Sequence, residues 1–426
     1  MKLVILGLAL MTVVGCVSNI DPKAAPPIAS DRCYGGAIRS IQEFGVTPGN
    51  TPEDNAAALQ KAIDWAARRG AALFVEPADE PYRVAGGVVL RRNVSLIGVH
   101  GPVGRGTRHP EKAQPVGSVF AITDETRPFL TVENATQIRG IQFWYPQQTA
   151  TNASLIIKYP PTIQVSHEKG AQGVTLSCLT FYGEYLAMDF AASAAKICEQ
   201  ILIEHCYGYP LGGTFIRIDY CYDIPRILHC HVNPANRRFI DGGHSREVID
   251  AVMARQTFCY VIDHTDNAQL MDVFTFGTWG GIHLGPATYG QLSNFNLDCV
   301  AVGILKQGGN AFNRNWQIAQ GSIIANAGAP LADIHPIIVT GRGHTAISNV
   351  ECFSGPNRAL TTVGQSQDFL LVQGSERLTV SLMGCRMRNY AGAEPITIEN
   401  PNAIIQAEAC VDRDENPYRR RPEGNK

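Results

Sequence analysis

Short apolar runs recur along most of this chain, and their spacing constrains its architecture. One phrase runs aliphatic, any, small or polar, apolar, any, apolar. It begins at Leu96, Ile138, Leu176, Ile203, Ile227, Val248, Leu270, Leu292, Ile318, Ile347, Leu382 and Ile405. Alternation within each phrase, bounded by Gly, Pro, Asn and Asp, reads as short strands and tight turns, and helical periodicity between phrases is almost absent. Successive starts come closest from Ile227 through Val248 and Leu270 to Leu292. The step there, about 22 residues, fits one coil of three short strands and three turns, longer coils carrying surface loops. Stacked coils pair backbone with backbone and merge their apolar positions into one core. The predicted fold class is all-β: a single-stranded parallel β-helix of about 12 coils.

One amphipathic helix stands apart from this pattern. Pro52-Glu53-Asp54 places acidic residues in its first turn, Ala57, Leu59, Ala62, Ile63 and Ala66 follow at helical spacing, and Gly70 stops it. It lies N-terminal to the first coils, where an open sheet edge needs a cap. The order of Gln60-Lys61-Ala62-Ile63-Asp64, Gly70, the strand Ala72-Leu73-Phe74-Val75, Pro77, Tyr82 and Leu96-Ile97-Gly98 resembles the start of the pectate-lyase-like superfamily. That group of right-handed parallel β-helices includes polygalacturonase-like and tailspike-like proteins. The resemblance covers about residues 44 to 145. The family's Gly-Asp-Gly-x-Thr-Asp-Asp-Thr turn is here Gly49-Asn50-Thr51-Pro52-Glu53-Asp54-Asn55, so only part of it is kept. The resemblance implies a right-handed helix and a bias toward polysaccharide, not a reaction.

Composition adds less. Hydrophobic residues at 45% and charged residues at 17% suit an extended core, and a net charge of −2 gives no field for nucleic acid. Lys2 followed by the apolar run Leu3 to Val13 reads as an export signal too short to span a bilayer. Val13-Val14-Gly15-Cys16 resembles a bacterial lipobox, which implies a lipid anchor on Cys16 and a cell-envelope location. Val17 after the cysteine favours the outer membrane in that family. The expected organisation is a signal peptide at 1–16, a tether at 17–32, the β-helix at 33–412 and a disordered tail at 413–426. Of 12 cysteines, Cys178, Cys206, Cys230, Cys352, Cys385 and Cys410 fall inside apolar phrases, and no CxxC pair with matching His occurs. They read as buried free thiols rather than disulfides or a zinc site.

Candidate chemistry comes from a second register. Ile218, Ile240, Ile262 and Leu284 repeat at the same step and are followed by Asp219, Asp241, Asp263 and Gly285. In register, three carboxylates form a column with about 4.8 Å per step. Like charges that close raise at least one pKa or bind a cation. A raised acid beside an ionised one serves glycoside hydrolysis; stacked carboxylates holding Ca2+, with an Arg or Lys as base, serve a polysaccharide lyase. The catalytic candidates are Asp219, Asp241, Asp263, His244 and His264; the substrate-binding candidates are Arg217, Arg238, Trp279 and His283. No cofactor is required, and Ca2+ is the one candidate. The competing reading makes each Asp a turn cap.

A third column, two residues into each phrase, holds His205, His229, Asp250, Asp272, Asn294, Gln320 and Asn349, and resembles the asparagine ladder of family β-helices. Val261-Ile262-Asp263-His264 resembles part of a pectate-lyase phrase, with Val261 in place of its Trp. Asp241-Gly242-Gly243-His244 resembles a polygalacturonase element, without that family's Asp-Asp and Arg-Ile-Lys. The functional expectation is a monomeric cell-envelope enzyme, hydrolase or lyase, cleaving an extracellular and acidic polysaccharide. The alternative is a non-catalytic β-helix lipoprotein that binds glycan or serves a structural role.

Overall fold

A computed structural model describes residues 38–99, 114–149, 151–234, 244–308, 315–325, 333–352 and 365–420. Two large parallel sheets wrap one core: a 22-stranded sheet folded along its length and an 11-stranded sheet. A coil contributes two strands to the first and one to the second, as in Gln137–Arg139, Gln142–Trp144 and Ile163–Val165, or runs the first two together as one bent strand, as in Gly290–Val300. The chain is a right-handed parallel β-helix. Phrase positions stack as the spacing predicts: Leu96 opposite Ile138, Leu176, Ile203, Ile227, Leu270, Leu292, Ile318, Ile347 and Leu382 in turn. All ten are at most 2% exposed, and each such burial contributes about 1.5–3 kcal/mol. Phe143 and Phe181 stack beside this column, their ring centroids 4.9 Å apart.

The fold of the larger sheet has a local cause. Between its two strands each coil places one residue in the left-handed region: Gly140, Cys178, His205, His229, Asp272, Asn294, Gln320, Asn349, Gly384 and Ala409, with φ between 51° and 69°. The asparagine-ladder column is therefore a backbone corner, where Asn, Asp and His tolerate a conformation that costs other side chains about 1–2 kcal/mol. Side chains then support one another along the axis. His205 and His229 stack at 4.7 Å, and His229 Nδ1 donates to Asp272 Oδ2 at 2.8 Å.

Helix α1, Pro52–Arg69, is capped by Thr51 and stopped by Gly70 at φ 62°. It buries Leu59, Ala62, Ile63 and Ala66, while Ala57 faces outward. Its capping function is explicit at Gln60, whose amide accepts from Val89 N–H at 2.8 Å and donates to Val89 C=O at 3.1 Å. Val88–Leu90 is the first strand of the 11-stranded sheet, so one side chain replaces a neighbouring strand. All ten cysteines among the described residues are free and buried, and burial pushes the Cys198 thiol up to about 11. Cys16, with the expected signal peptide and tether, lies outside the described residues.

Three sequence readings change. Val248–Met253 is not a coil: it belongs to helix α2, Arg246–Met253, capped by Ser245. Asp250 accordingly leaves the ladder and pairs with Arg246. The last phrase slips by two positions, because Leu382 pairs with Ala407 rather than Ile405. The expected tail is ordered at Pro417–Arg420, an antiparallel strand on Ala403–Val411 that covers the C-terminal edge. Among the described residues no helix is long and apolar enough to cross a membrane.

Candidate functional site

The 11-stranded sheet alternates inward and outward positions, so two outward columns run along it. The first runs through Asp189, Arg217, Val261, His283, Leu305, Ile338, Leu371 and Thr397. Residues of the second each donate their N–H to the preceding coil. Asp263 bonds Ile218 C=O at 2.9 Å, Gly285 bonds Ile262 at 2.8 Å, and Gln307 bonds Leu284 at 2.8 Å. Ile218 pairs directly with Ile262. Asp219 and Asp263 are therefore neighbours in one column, and no coil at Ile240 lies between them. The stretch from Ile218 to Ile262 is one long coil containing α2, not two short ones. Asp241 and Arg238 lie outside the described residues.

Asp219 accepts a hydrogen bond from His264 Nδ1 at 2.8 Å. The His264 ring lies on Tyr220 at 4.3 Å and 4°. Tyr220 and His264 hold φ 51° and 38°, so both coils turn out of the sheet immediately after their carboxylate.

Asp263 is the central group. Its carboxyl lies over Gly285, where an added Cβ would meet Oδ1 at 1.3 Å. Oδ1 is buried and has no hydrogen-bond partner. Burial raises the Asp263 pKa first and foremost; His283, His264 and Arg217 oppose the rise, and the Asp219 charge adds to it. This is the pairing of unequal carboxyl environments that acid chemistry at neutral pH uses.

Arg217 sits one column over, its guanidinium committed to Asp189 through Nε to Oδ1 at 2.9 Å and Nη2 to Oδ2. His283 Nε2 donates to Gln307 Oε1 at 3.0 Å, placing a second imidazole beside Asp263. The site thus gathers Asp219, Asp263, His264, Arg217 and His283 as the sequence reading expects. His244 departs: it is buried beside α2, with Nδ1 against Pro234 C=O. Trp279 departs as well. It precedes the strand Gly280–Leu284 while Gly285 follows it, so a run of extended chain about 20 Å long separates Trp279 from the Asp263 column. It lines a different cavity, together with His335 and Asp368. Sequence reading missed Asp189, Gln307 and this cavity. Asp189 was visible only as the alternating Met188-Asp189-Phe190, a register outside the common coil step.

Among the described residues no group of three or more His, Cys, Asp or Glu could hold a metal ion; Asp241, the third carboxylate of the column expected to hold Ca2+, lies outside them. Asp219 and Asp263 provide two carboxylates, one engaged by His264.

No family model matches the chain, and no curated protein matches it. Solved structures do. DFA-IIIase of Arthrobacter chlorophenolicus A6 overlaps with a TM-score of 0.53 at 13% identity, covering 91% of this chain and 99% of that one. A mutant of the same protein in complex with DFA-III gives 0.50 at 12% identity, with the same coverage. An exopolygalacturonase of Thermotoga maritima gives 0.47 at 10% identity over 91% and 95% of the two chains. At such identities the likeness speaks for architecture alone. By fold, the chain is a right-handed parallel β-helix protein.

Proposed function

We propose that the outward face of the 11-stranded sheet cleaves glycosidic bonds, with Asp263 as acid and Asp219 as its partner. The observation that carries this reading is Asp263 itself, a carboxyl raised by burial, with one oxygen unpartnered, beside a second carboxylate. A structural turn cap would have its oxygens bonded to nearby backbone. Asp219 and Asp263 stand one strand step of about 4.8 Å apart along the backbone column. A pair of carboxyls on adjacent coils is the arrangement a retaining glycosidase, with its short carboxyl separation of about 5–5.5 Å, would use. In that chemistry the Asp263 proton passes to the leaving oxygen as the bond to the anomeric carbon breaks, and an Asp219 oxygen takes its place on that carbon. Water then attacks the carbon, gives its proton back to Asp263 and releases Asp219. His264 positions Asp219 through its Nδ1–H bond. For the lyase alternative, which needs an Arg or Lys as base, the described arginine beside the pair is Arg217, and its guanidinium is bonded to Asp189.

A polysaccharide panel tests the proposal, scored for new reducing ends and for ultraviolet absorbance from unsaturated products. Hydrolysis predicts reducing ends without that absorbance and retained anomeric configuration. Matched appearance of both signals would establish elimination instead. An envelope location and a lipid anchor on Cys16 belong to the same proposal; radiolabelled fatty acid incorporated by wild type and not by Cys16→Ala tests them.

A further inference from the structure

A second cavity opens on the same outward face, displaced toward the C-terminal coils, and no member of the carboxylate cluster lines it. Its volume is about 650 Å³, inside the range of small-molecule sites. Its floor is Ile338, Leu371 and Thr397, successive outward positions of paired strands. Trp279 lines it from before the strands, and Gln373 and Glu399 from after them. Counted along the second column from Asp263 through Gly285, Gln307 and Thr340 to Gln373, it lies four strand steps away, about 19 Å.

A buried dyad sets its chemistry. His335 Nδ1 donates to Asp368 Oδ1 at 2.9 Å, and both residues are buried. Asp368 is 0% exposed, and its Oδ2 has no hydrogen-bond partner. A buried acceptor left without a donor costs about 1–3 kcal/mol or more, so a ligand O–H or N–H in the cavity would satisfy it. Among the described residues the charged side chains in the lining are carboxylates, Asp333, Asp368 and Glu399, with no Lys or Arg. Such a wall accepts hydroxyl and amine donors and repels an acidic ligand. The indole and the aliphatic floor suit the C–H face of a sugar ring.

We propose that this cavity binds a sugar residue that carries no acidic group, neutral or amino, and is a distal subsite of the glycan that the same face takes. The inference rests on the glycan-cleaving reading of that face, and it runs against the acidic polysaccharide expected from sequence. Calorimetry on the full chain tests it, with maltotetraose, chitotetraose and tetragalacturonate as probes. One of the first two should bind at least about tenfold more tightly than the third. Leu371→Trp, which fills the cavity, and Trp279→Ala, which removes its aromatic wall, should each weaken that binding by about tenfold or more. Asp263→Asn should leave it unchanged while removing cleavage. Tightest binding of tetragalacturonate, no binding by any probe, or binding indifferent to both Leu371→Trp and Trp279→Ala would overturn the cavity assignment. If Asp263→Asn still abolished cleavage, the cleavage reading would stand alone. Retained cleavage by Asp263→Asn together with cavity-dependent binding would do the reverse, upholding the cavity and sinking the cleavage reading.

Discussion

Adding one methyl group at Gly285 should disarm the carboxylate cluster without altering a titratable residue. A Cβ there meets Asp263 Oδ1 at 1.3 Å and Cγ at 2.5 Å. Ordinary contact needs about 3.5 Å, so the carboxyl must withdraw by about 2 Å. Gly285 is not among the positive-φ glycines, so alanine meets no left-handed backbone penalty. Side-chain rotation off its rotamer costs about 0.5–1.5 kcal/mol, and crowding about 1–3 kcal/mol, less than a typical folding stability of about 5–15 kcal/mol. The protein should therefore fold. Displacing a catalytic group by about 1 Å can cost about 10²-fold, so Gly285→Ala should lower kcat by about that factor or more. The assay is reducing-end release from the polysaccharide selected by the panel, for wild type, Gly285→Ala, Asp263→Asn and the double variant. Because both changes act through one carboxyl, the double variant should be no slower than Asp263→Asn alone. Wild-type turnover in folded Gly285→Ala, or losses that multiply in the double variant, would refute the reasoning.

Other outcomes follow from the same geometry. Gln60→Ala removes both bonds to the edge strand at Val89; it should cost about 1–3 kcal/mol in urea unfolding and increase aggregation seen by light scattering. Arg217→Ala strands the Asp189 carboxylate, whose side chain is 7% exposed. With the guanidinium itself half exposed, the loss should be about 1–3 kcal/mol in thermal unfolding rather than the larger figure for a fully buried pair. His229→Val puts a β-branched residue at φ 53° and should cost about 1–2 kcal/mol, whereas His229→Gly should cost less.

The fold was legible because its information is local and repeated. Every coil shows the same alternation, and Leu96 through Leu382 stack as their spacing requires. Two apparent members failed for physical reasons. Val248, Ile249, Val252 and Met253 satisfy the strand phrase, yet they also form one face of a helix, and all four are buried from α2. The Ser245 cap decided between the readings. Ile240 entered the register only because the long coil from Ile218 to Ile262 happens to measure twice the common step. The carboxylate pair survived because Asp219 and Asp263 end strands on adjacent coils. The steric role of Gly285 could not be read, since an absent side chain carries no periodic signal. Nor could the His335–Asp368 dyad, which joins the start of one strand to the turn before the next.

Asp263 tests the account most directly, because it couples activity to stability with a definite sign. Its pKa is raised from 3.8, so the native state holds this proton more tightly than the unfolded chain. Stability is then lost as pH rises from the unfolded value through the raised native one, and the deficit persists above it. Asp263→Asn removes that deficit. Measured side by side at neutral pH, the variant should lose about 10²–10⁴-fold in turnover while gaining about 0.5–2 kcal/mol of stability, a gain that disappears below the unfolded pKa. Full turnover in the Asn variant, or activity lost together with stability, would contradict the central claim that Asp263 is the acid of this site.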